Sequence, residues 1–202
     1  NGKESHAIEV LCERKREAGK FLYTLIPNEK WLLSEERKWP VTIDPVISSS
    51  MDYTKIYDVR LLSRYPNSQF GNDFKLIVGQ DVSVGIARSL VNFDLPELHP
   101  ADMVINAVLN LTCYSNYMQD CRVHVHRVLE NWNEHEVTWN SMPQYDNKII
   151  DFVEFMDTTG QSVQFDITEV VKDWYTNGNK HGLLLKDSQE AGTYIAFLSA
   201  DS

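Results

Sequence analysis

From Met51 onward apolar residues recur at every second position in short runs closed by turn residues, and this period constrains the fold most. Side chains alternate across a strand, so a period of two gives a sheet one apolar face, whereas a helix repeats at about 3.6 residues. The run 103–114 shows it best: Ile105, Ala107, Leu109, Leu111 and Cys113 share one face, and Asn106, Asn110 and Thr112 the other. Cys121, Val123 and Val125 alternate with Arg122, His124 and His126, which places both histidines outward. Further strands are expected at 74–78 (ended by Gly79), within 83–94, and at 149–155, 162–167, 182–185 and 194–198. Short strands with frequent turn signals predict an all-β fold, an antiparallel β-sandwich or barrel.

One short helix is expected near the C-terminal part. Val170, Val171 and Trp174 share a helical face, Thr168 reads as the N-cap, and Asn177-Gly178 is a natural stop. The front of the chain differs. Residues 7–12 and 21–26 read as strands, 29–36 as a helical turn or two, and Trp39-Pro40-Val41-Thr42-Ile43-Asp44-Pro45 as an extended arm. A residue before proline is pushed out of the α region, which keeps that arm extended. Ser48-Ser49-Ser50 reads as a linker. The expected organisation is an N-terminal arm over 1–45, packed on the sandwich through its apolar stretch 21–26, and a sandwich over 51–202.

Charge narrows the partners. Lysine and arginine number 19 against 29 acids, a formal net charge of −10. Nucleic acid and anionic membranes both select a cationic footprint, so neither is an expected partner. No apolar run approaches the ~20 residues of a membrane span. The polar start at Asn1, without an initiator Met or a signal peptide, reads as a piece of a longer, multidomain protein. The three cysteines, Cys12, Cys113 and Cys121, form no C-x-x-C pair, which argues against a zinc ribbon or a thioredoxin motif. Cys113 and Cys121 flank an expected hairpin tip near Tyr117, where a disulfide and two buried thiols both fit.

The stretch Asn131-Trp132-Asn133-Glu134-His135-Glu136-Val137-Thr138-Trp139-Asn140-Ser141-Met142-Pro143 holds two of the five tryptophans. Sugar recognition uses aromatic faces with amides, carboxylates or guanidinium groups at their edges. Trp132, Tyr145, Tyr65 and Tyr114 are the ligand-binding candidates, whereas Trp139 and Trp174 read as core. Calcium prefers oxygen ligands, and Asn67, Asn72 and Asp73 share one turn that Asp52, Asp58 or Asp94 would complete. The alternative for that group is ordinary turn chemistry. His124, His126 and His135 offer a transition-metal set, though lone outward histidines are far commoner. Lys172, Lys180 and Lys186 offer a local cationic patch for an acidic glycan, against the overall charge. Glu134 and Glu136 lie on one segment and cannot flank a glycosidic bond from opposite sides, and no G-x-S-x-G is present. No enzyme is expected.

Five motifs carry a family resemblance. They are Pro66-Asn67-Ser68-Gln69-Phe70-Gly71 with Leu76-Ile77-Val78-Gly79, Arg88-Ser89-Leu90-Val91-Asn92-Phe93-Asp94-Leu95-Pro96, Trp132 to Pro143, Phe165-Asp166-Ile167-Thr168 leading to Trp174, and Gly182-Leu183-Leu184-Leu185-Lys186. In this order they resemble the DNRLRE domain, a carbohydrate-binding-module-like β-sandwich of bacterial and archaeal surface proteins. The segment Lys30-Trp31-Leu32-Leu33 with Trp39 to Pro45 is similar to the tail that precedes such domains in wall-associated and RHS-type proteins. The resemblance implies a jelly roll, an extracellular or cell-surface parent protein, and a polysaccharide or cell-surface glycan as partner. The expected function is a non-catalytic carbohydrate-binding-like module. The alternative is a structural spacer or adhesin domain without glycan binding.

Overall fold

The computed structural model describes residues 8–14, 21–27, 29–33, 56–96, 98, 103–116, 121–155, 160–192 and 194–202. The chain divides into two compact units, Asn1–Ser49 and Ser50–Ser202. In the first, β1 (Ile8–Arg14) and β2 (Phe21–Pro27) form an antiparallel pair, and α1 (Glu29–Leu32) makes one turn. The expected arm from Trp39 to Pro45 and the serine linker lie outside the described residues.

The described residues of the second unit form nine strands: β3 (Ile56–Leu62), β4 (Lys75–Asp81), β5 (Gly85–Phe93), β6 (Val108–Asn116), β7 (Cys121–Val128), β8 (Tyr145–Phe155), β9 (Ser162–Asp166), β10 (Leu183–Asp187) and β11 (Tyr194–Leu198). The helix α2 (Thr168–Asn177) follows β9. The strands hydrogen-bond in the order β8-β7-β10-β5-β4-β11-β6-β9, with β3 on the other side of β5. Every pairing is antiparallel. The ends of this path come close, because the Asp166 N–H donates to Asp151 Oδ2 at 2.7 Å, so the sheet is nearly closed.

Strand β5 divides the sheet into two layers. Its first half pairs with β4 (Gly79↔Ala87, Asp81↔Gly85), and its second half pairs with β10 (Ser89↔Leu185, Val91↔Leu183). The next rung of the β4–β5 ladder would join Ile77 to Ser89, but Ser89 is by then in register with Leu185. The fully buried Ser89 side chain fills the gap. Its Oγ accepts from Ile77 N at 3.1 Å and donates to Ile77 O at 2.9 Å. Buried main-chain groups need partners, and a hydroxyl can serve as donor and acceptor at once.

The core lies between the layers. Leu76, Val78, Leu109, Leu111, Ile195 and Phe197 from β4, β6 and β11 meet Val91, Val123, Val125, Leu183 and Leu185 from β5, β7 and β10. Helix α2 closes this core with Val170, Val171 and Trp174, and Gly178 ends it in the left-handed region, its N–H donating to Trp174 O at 2.9 Å. A second cluster sits on the outer face of the β3-β5-β10-β7-β8 layer. Val59, Leu61, Leu90, Val128, Val137 and Leu184 are covered there by Phe70, Trp132, Trp139, Met142 and Tyr145.

Four local expectations are corrected. Thr168 is the first helical residue rather than the cap: Asp166 Oδ1 accepts its N–H at 2.9 Å, and its hydroxyl oxygen accepts from Ala107 N at 3.0 Å. The alternation of 103–114 starts late, because the ladder begins at Val108 and Ile105 is 59% exposed. His126 shares the outer face with His124, as the alternation requires, but is buried there rather than solvent-exposed, with the Tyr145 ring edge-on to it at 5.5 Å. Strands β6 and β7 are not a hairpin: β6 pairs with β9 and β11, and β7 with β8 and β10. Cys113 therefore does not face Cys121 across a ladder. Cys113 is buried on β6, and the side chain of Cys121 lies outside the described residues.

Candidate functional site

Two loops border a concavity on the described surface. The segment 63–74 joins β3 to β4, and 129–144 joins β7 to β8. The first folds by successive turns, with Tyr65 N donating to Leu62 O (3.0 Å), Ser68 N to Tyr65 O (3.0 Å) and Asp73 N to Phe70 O (3.2 Å). The second is held by Val137 N on Asn133 O at 2.9 Å and Thr138 N on Ser141 Oγ at 2.9 Å. They are sewn together. Asn140 N donates to Pro66 O at 3.0 Å, and Asn140 Nδ2 donates to Asn67 Oδ1 at 2.9 Å. Gly71 fits beneath the second loop: a Cβ there would run into the Glu134 carbonyl and lie 2.9 Å from His135 Nδ1.

Between them is an open cleft of about 510 Å³, lined by Gln69, Phe70, Asn72, Asp73, Phe74 and His135. Aromatic pairs stand at both of its phenylalanines. Phe70 meets Tyr65 edge-on at 6.5 Å, and Phe74 meets Tyr114 edge-on at 5.8 Å. Tyr65, Phe74 and Tyr114 are 47%, 48% and 43% exposed, an accumulation of open rings in one neighbourhood. Tyr65 follows β3 in one layer and Tyr114 belongs to β6 in the other, so the rings span the edge between the layers.

Charge around the cleft is organised. The Arg60 guanidinium lies 5.0 Å from the Phe70 centroid and pairs with Asp73. Lys75 Nζ lies 4.7 Å from the Phe74 centroid and 4.1 Å from that of Tyr114. Such cation–ring contacts are attractive and help to hold the rings in place. Below, Asp58 N donates to Glu134 Oε2 at 3.1 Å, and Asp58 Oδ2 accepts from Ala200 N at 2.8 Å. Burial pushes the Asp58 carboxyl above the usual carboxylate range. Glu134 Oε1 also reaches His135 Nε2 at 3.5 Å, so Glu134 orients the loop rather than facing Glu136.

Tyr65 and Tyr114 reach the cleft through their phenylalanine neighbours, and Asn72 and Asp73 line it. Trp132 and Tyr145 do not. Trp132 is half-buried on the outer cluster, its Nε1 donating to His181 O at 2.8 Å, and Tyr145 packs edge-on to His126 at 5.5 Å. Of the calcium candidates, Asn67 is engaged by Asn140, Asp73 by Arg60, and Asp52 lies outside the described residues. Among the described residues no group of three His, Cys, Asp or Glu is placed to hold a metal ion. Lys172, Lys180 and Lys186 reach Glu169, Asp94 and Glu190 at 2.7, 3.6 and 3.7 Å. Phe70 and Phe74, which line the cleft, are not among the sequence candidates. Phe70 lay inside a motif, and Phe74 was in phase with buried Leu76 and Val78, so its period signalled core.

Residues 49–202 match the profile of carbohydrate-binding module family 96 (CBM96). The chain belongs to this family. The match supports the carbohydrate-binding-module character implied by the motifs from Pro66 to Lys186. The chain is also 27% identical over 195 residues to the tRNA3(Ser)-specific nuclease WapA of Bacillus spizizenii. It is 26% identical over 196 residues to the tRNA nuclease WapA of Bacillus subtilis strain 168. Each alignment covers 89% of this chain but 8% of the relative, so the chain spans a small fraction of those proteins' length.

Proposed function

We propose that this CBM96 chain is a non-catalytic carbohydrate-binding module of a secreted or cell-surface protein, and that the sugar docks in the cleft between the two loops. The observation that carries this reading is the cluster of exposed rings, Tyr65, Phe74 and Tyr114, beside the polar edges of Gln69, Asn72 and His135. Sugars offer apolar C–H faces to rings and hydroxyls to amides, and this cleft supplies both. Among the described residues lining the cleft, Asp73 is the one carboxylate, and Arg60 holds it. Glycoside hydrolysis ordinarily uses two carboxylates across the scissile bond, which favours binding over cleavage. The named activity of the relatives concerns tRNA. A net charge of −10 favours a sugar over a polyanion for this segment.

The test is glycan-array binding by the whole chain, with calcium and again with a chelator. Selective binding lost in Phe74→Ala and in Tyr114→Ala, with unchanged melting, supports the cleft. Chelator sensitivity assigns a metal role to the oxygen-rich turn of Asn67, Asn72 and Asp73. An empty array with an intact melt moves the function to the spacer or adhesin alternative.

A further inference from the structure

The outer face of the β3-β5-β10-β7-β8 layer is only partly covered by the 129–144 loop. Where the cover ends, four rings run in a row. Phe152 lies 6.0 Å from His124, His124 lies 6.0 Å from His126, and His126 lies 5.5 Å from Tyr145, centroid to centroid. Strand register explains the row, since His124 is paired with Phe152 on β8 and with Lys186 on β10. Cations flank it: the Arg122 guanidinium lies 4.8 Å from the Phe152 centroid, and Lys186 Nζ lies 6.0 Å from that of Tyr145.

Two features exceed what packing requires. Phe152 is 47% exposed at one end of the row. His126, 5% exposed, points Nδ1 at Asp146 O (2.9 Å) but leaves a buried Nε2 with no hydrogen-bond partner. A buried polar atom without a partner is destabilising, and a bound group that supplies one accounts for its retention. Ordinary alternation along β7 puts His126 on this face with His124, and the partner strand β8 is irregular beside it, where bulges are over-represented next to functional sites.

The geometry points to a second saccharide-binding site along Phe152, His124, His126 and Tyr145, separate from the cleft. Phe152, the open ring, would take a sugar face, while Arg122, Lys186 and the imidazoles would meet hydroxyls. A protein partner fits less well, because the row is interrupted by imidazoles and by the Arg122–Glu154 and Lys186–Glu190 ion pairs rather than being continuously apolar. Four strand spacings of about 4.8 Å separate β3, beside the cleft, from β8. The row on β7 and β8 therefore lies about 14–19 Å across the layer from β3, and a short oligosaccharide fills one site at a time.

Calorimetric titration of the whole chain with trisaccharides of glucose, N-acetylglucosamine, xylose and uronate units, all β-1,4-linked, tests this. The expected stoichiometry is two per chain for a binding sugar, falling to one in Phe152→Ala and to one in Phe74→Ala, with melting unchanged. The His126 ring nitrogens, followed by NMR, should shift at saturation in wild type and in Phe74→Ala. One site per chain, untouched by Phe152→Ala and without a His126 shift, overturns the second site and leaves the cleft reading standing. One site lost in Phe152→Ala but not in Phe74→Ala upholds the row and overturns the cleft. No binding of any trisaccharide overturns both.

Discussion

Ser89→Ala removes one oxygen from the point where β5 changes partners. In the native fold that oxygen accepts from Ile77 N at 3.1 Å and donates to Ile77 O at 2.9 Å, in a site with no solvent access at Ser89. The alanine fits without clash, so the loss is the loss of two partners. Each buried polar group left unsatisfied costs about 1–3 kcal/mol, and two groups at the lower half of that range give about 3 kcal/mol. For a domain of this size a change of about 1 kcal/mol moves Tm by roughly 2–4 °C, so the variant should melt roughly 6–12 °C lower. Circular dichroism melts with parallel urea titrations measure it, and the urea m-value should stay constant because the fold is kept. A Tm within about 2 °C of wild type would refute the view that this hydroxyl substitutes for the missing rung.

Three further outcomes follow from the same geometry. Gly71→Ala should lower stability by about 1–3 kcal/mol and weaken sugar binding, because its methyl displaces the Glu134–His135 backbone from the cleft; equal melting and binding would show that the loops are not sewn there. Leu109→Asp should prevent folding at room temperature as read by near-ultraviolet dichroism, since Leu109 is in the inter-layer core and a buried unpaired charge costs several kcal/mol or more. Burial lowers the imidazole pKa of both His124 and His126, with Lys186 also opposing protonation of each. The folded state thus binds fewer protons than the unfolded chain near its ordinary pKa of about 6.5, so this stabilisation is present above that pH and is lost as pH falls through the folded values. Tm should therefore drop between about pH 7 and 5, and His124→Gln should flatten that drop; an unchanged slope would contradict it.

Alternation in the sequence located the layers because one face of each strand is buried. On β6, Leu109, Leu111 and Cys113 are buried while Asn110 and Thr112 are exposed. Period two identifies a face but not the end of a ladder. Ile105 and Phe74 keep the apolar phase yet stand just outside β6 and β4, where no opposite layer covers them. His126 keeps the outward phase of His124 but is buried beneath Tyr145, because alternation identifies a face and not what covers it. The connection from β6 to β7 was read as a hairpin because neighbouring strands usually pair, whereas here the chain crosses between layers.

The site was legible as chemistry rather than as a place. Tyr65, Tyr114, Asn72 and Asp73 were visible as residue types suited to sugars or cations, and the fold gathers them around Phe70 and Phe74. Their meeting depends on Gly71 passing beneath Glu134, a contact between positions 63 residues apart that no local pattern encodes. Trp132 illustrates the reverse case. Its indole N–H needed a partner and found the His181 carbonyl, which fixes the loop but takes that tryptophan out of the cleft.

The most direct measurement is an NMR titration of the whole chain with a sugar that binds on the array, following backbone amides. Binding in the cleft predicts the largest shifts at Gln69 to Phe74 and at His135, whether or not the outer row responds as well. Saturable binding that leaves all of those amides unmoved would contradict it.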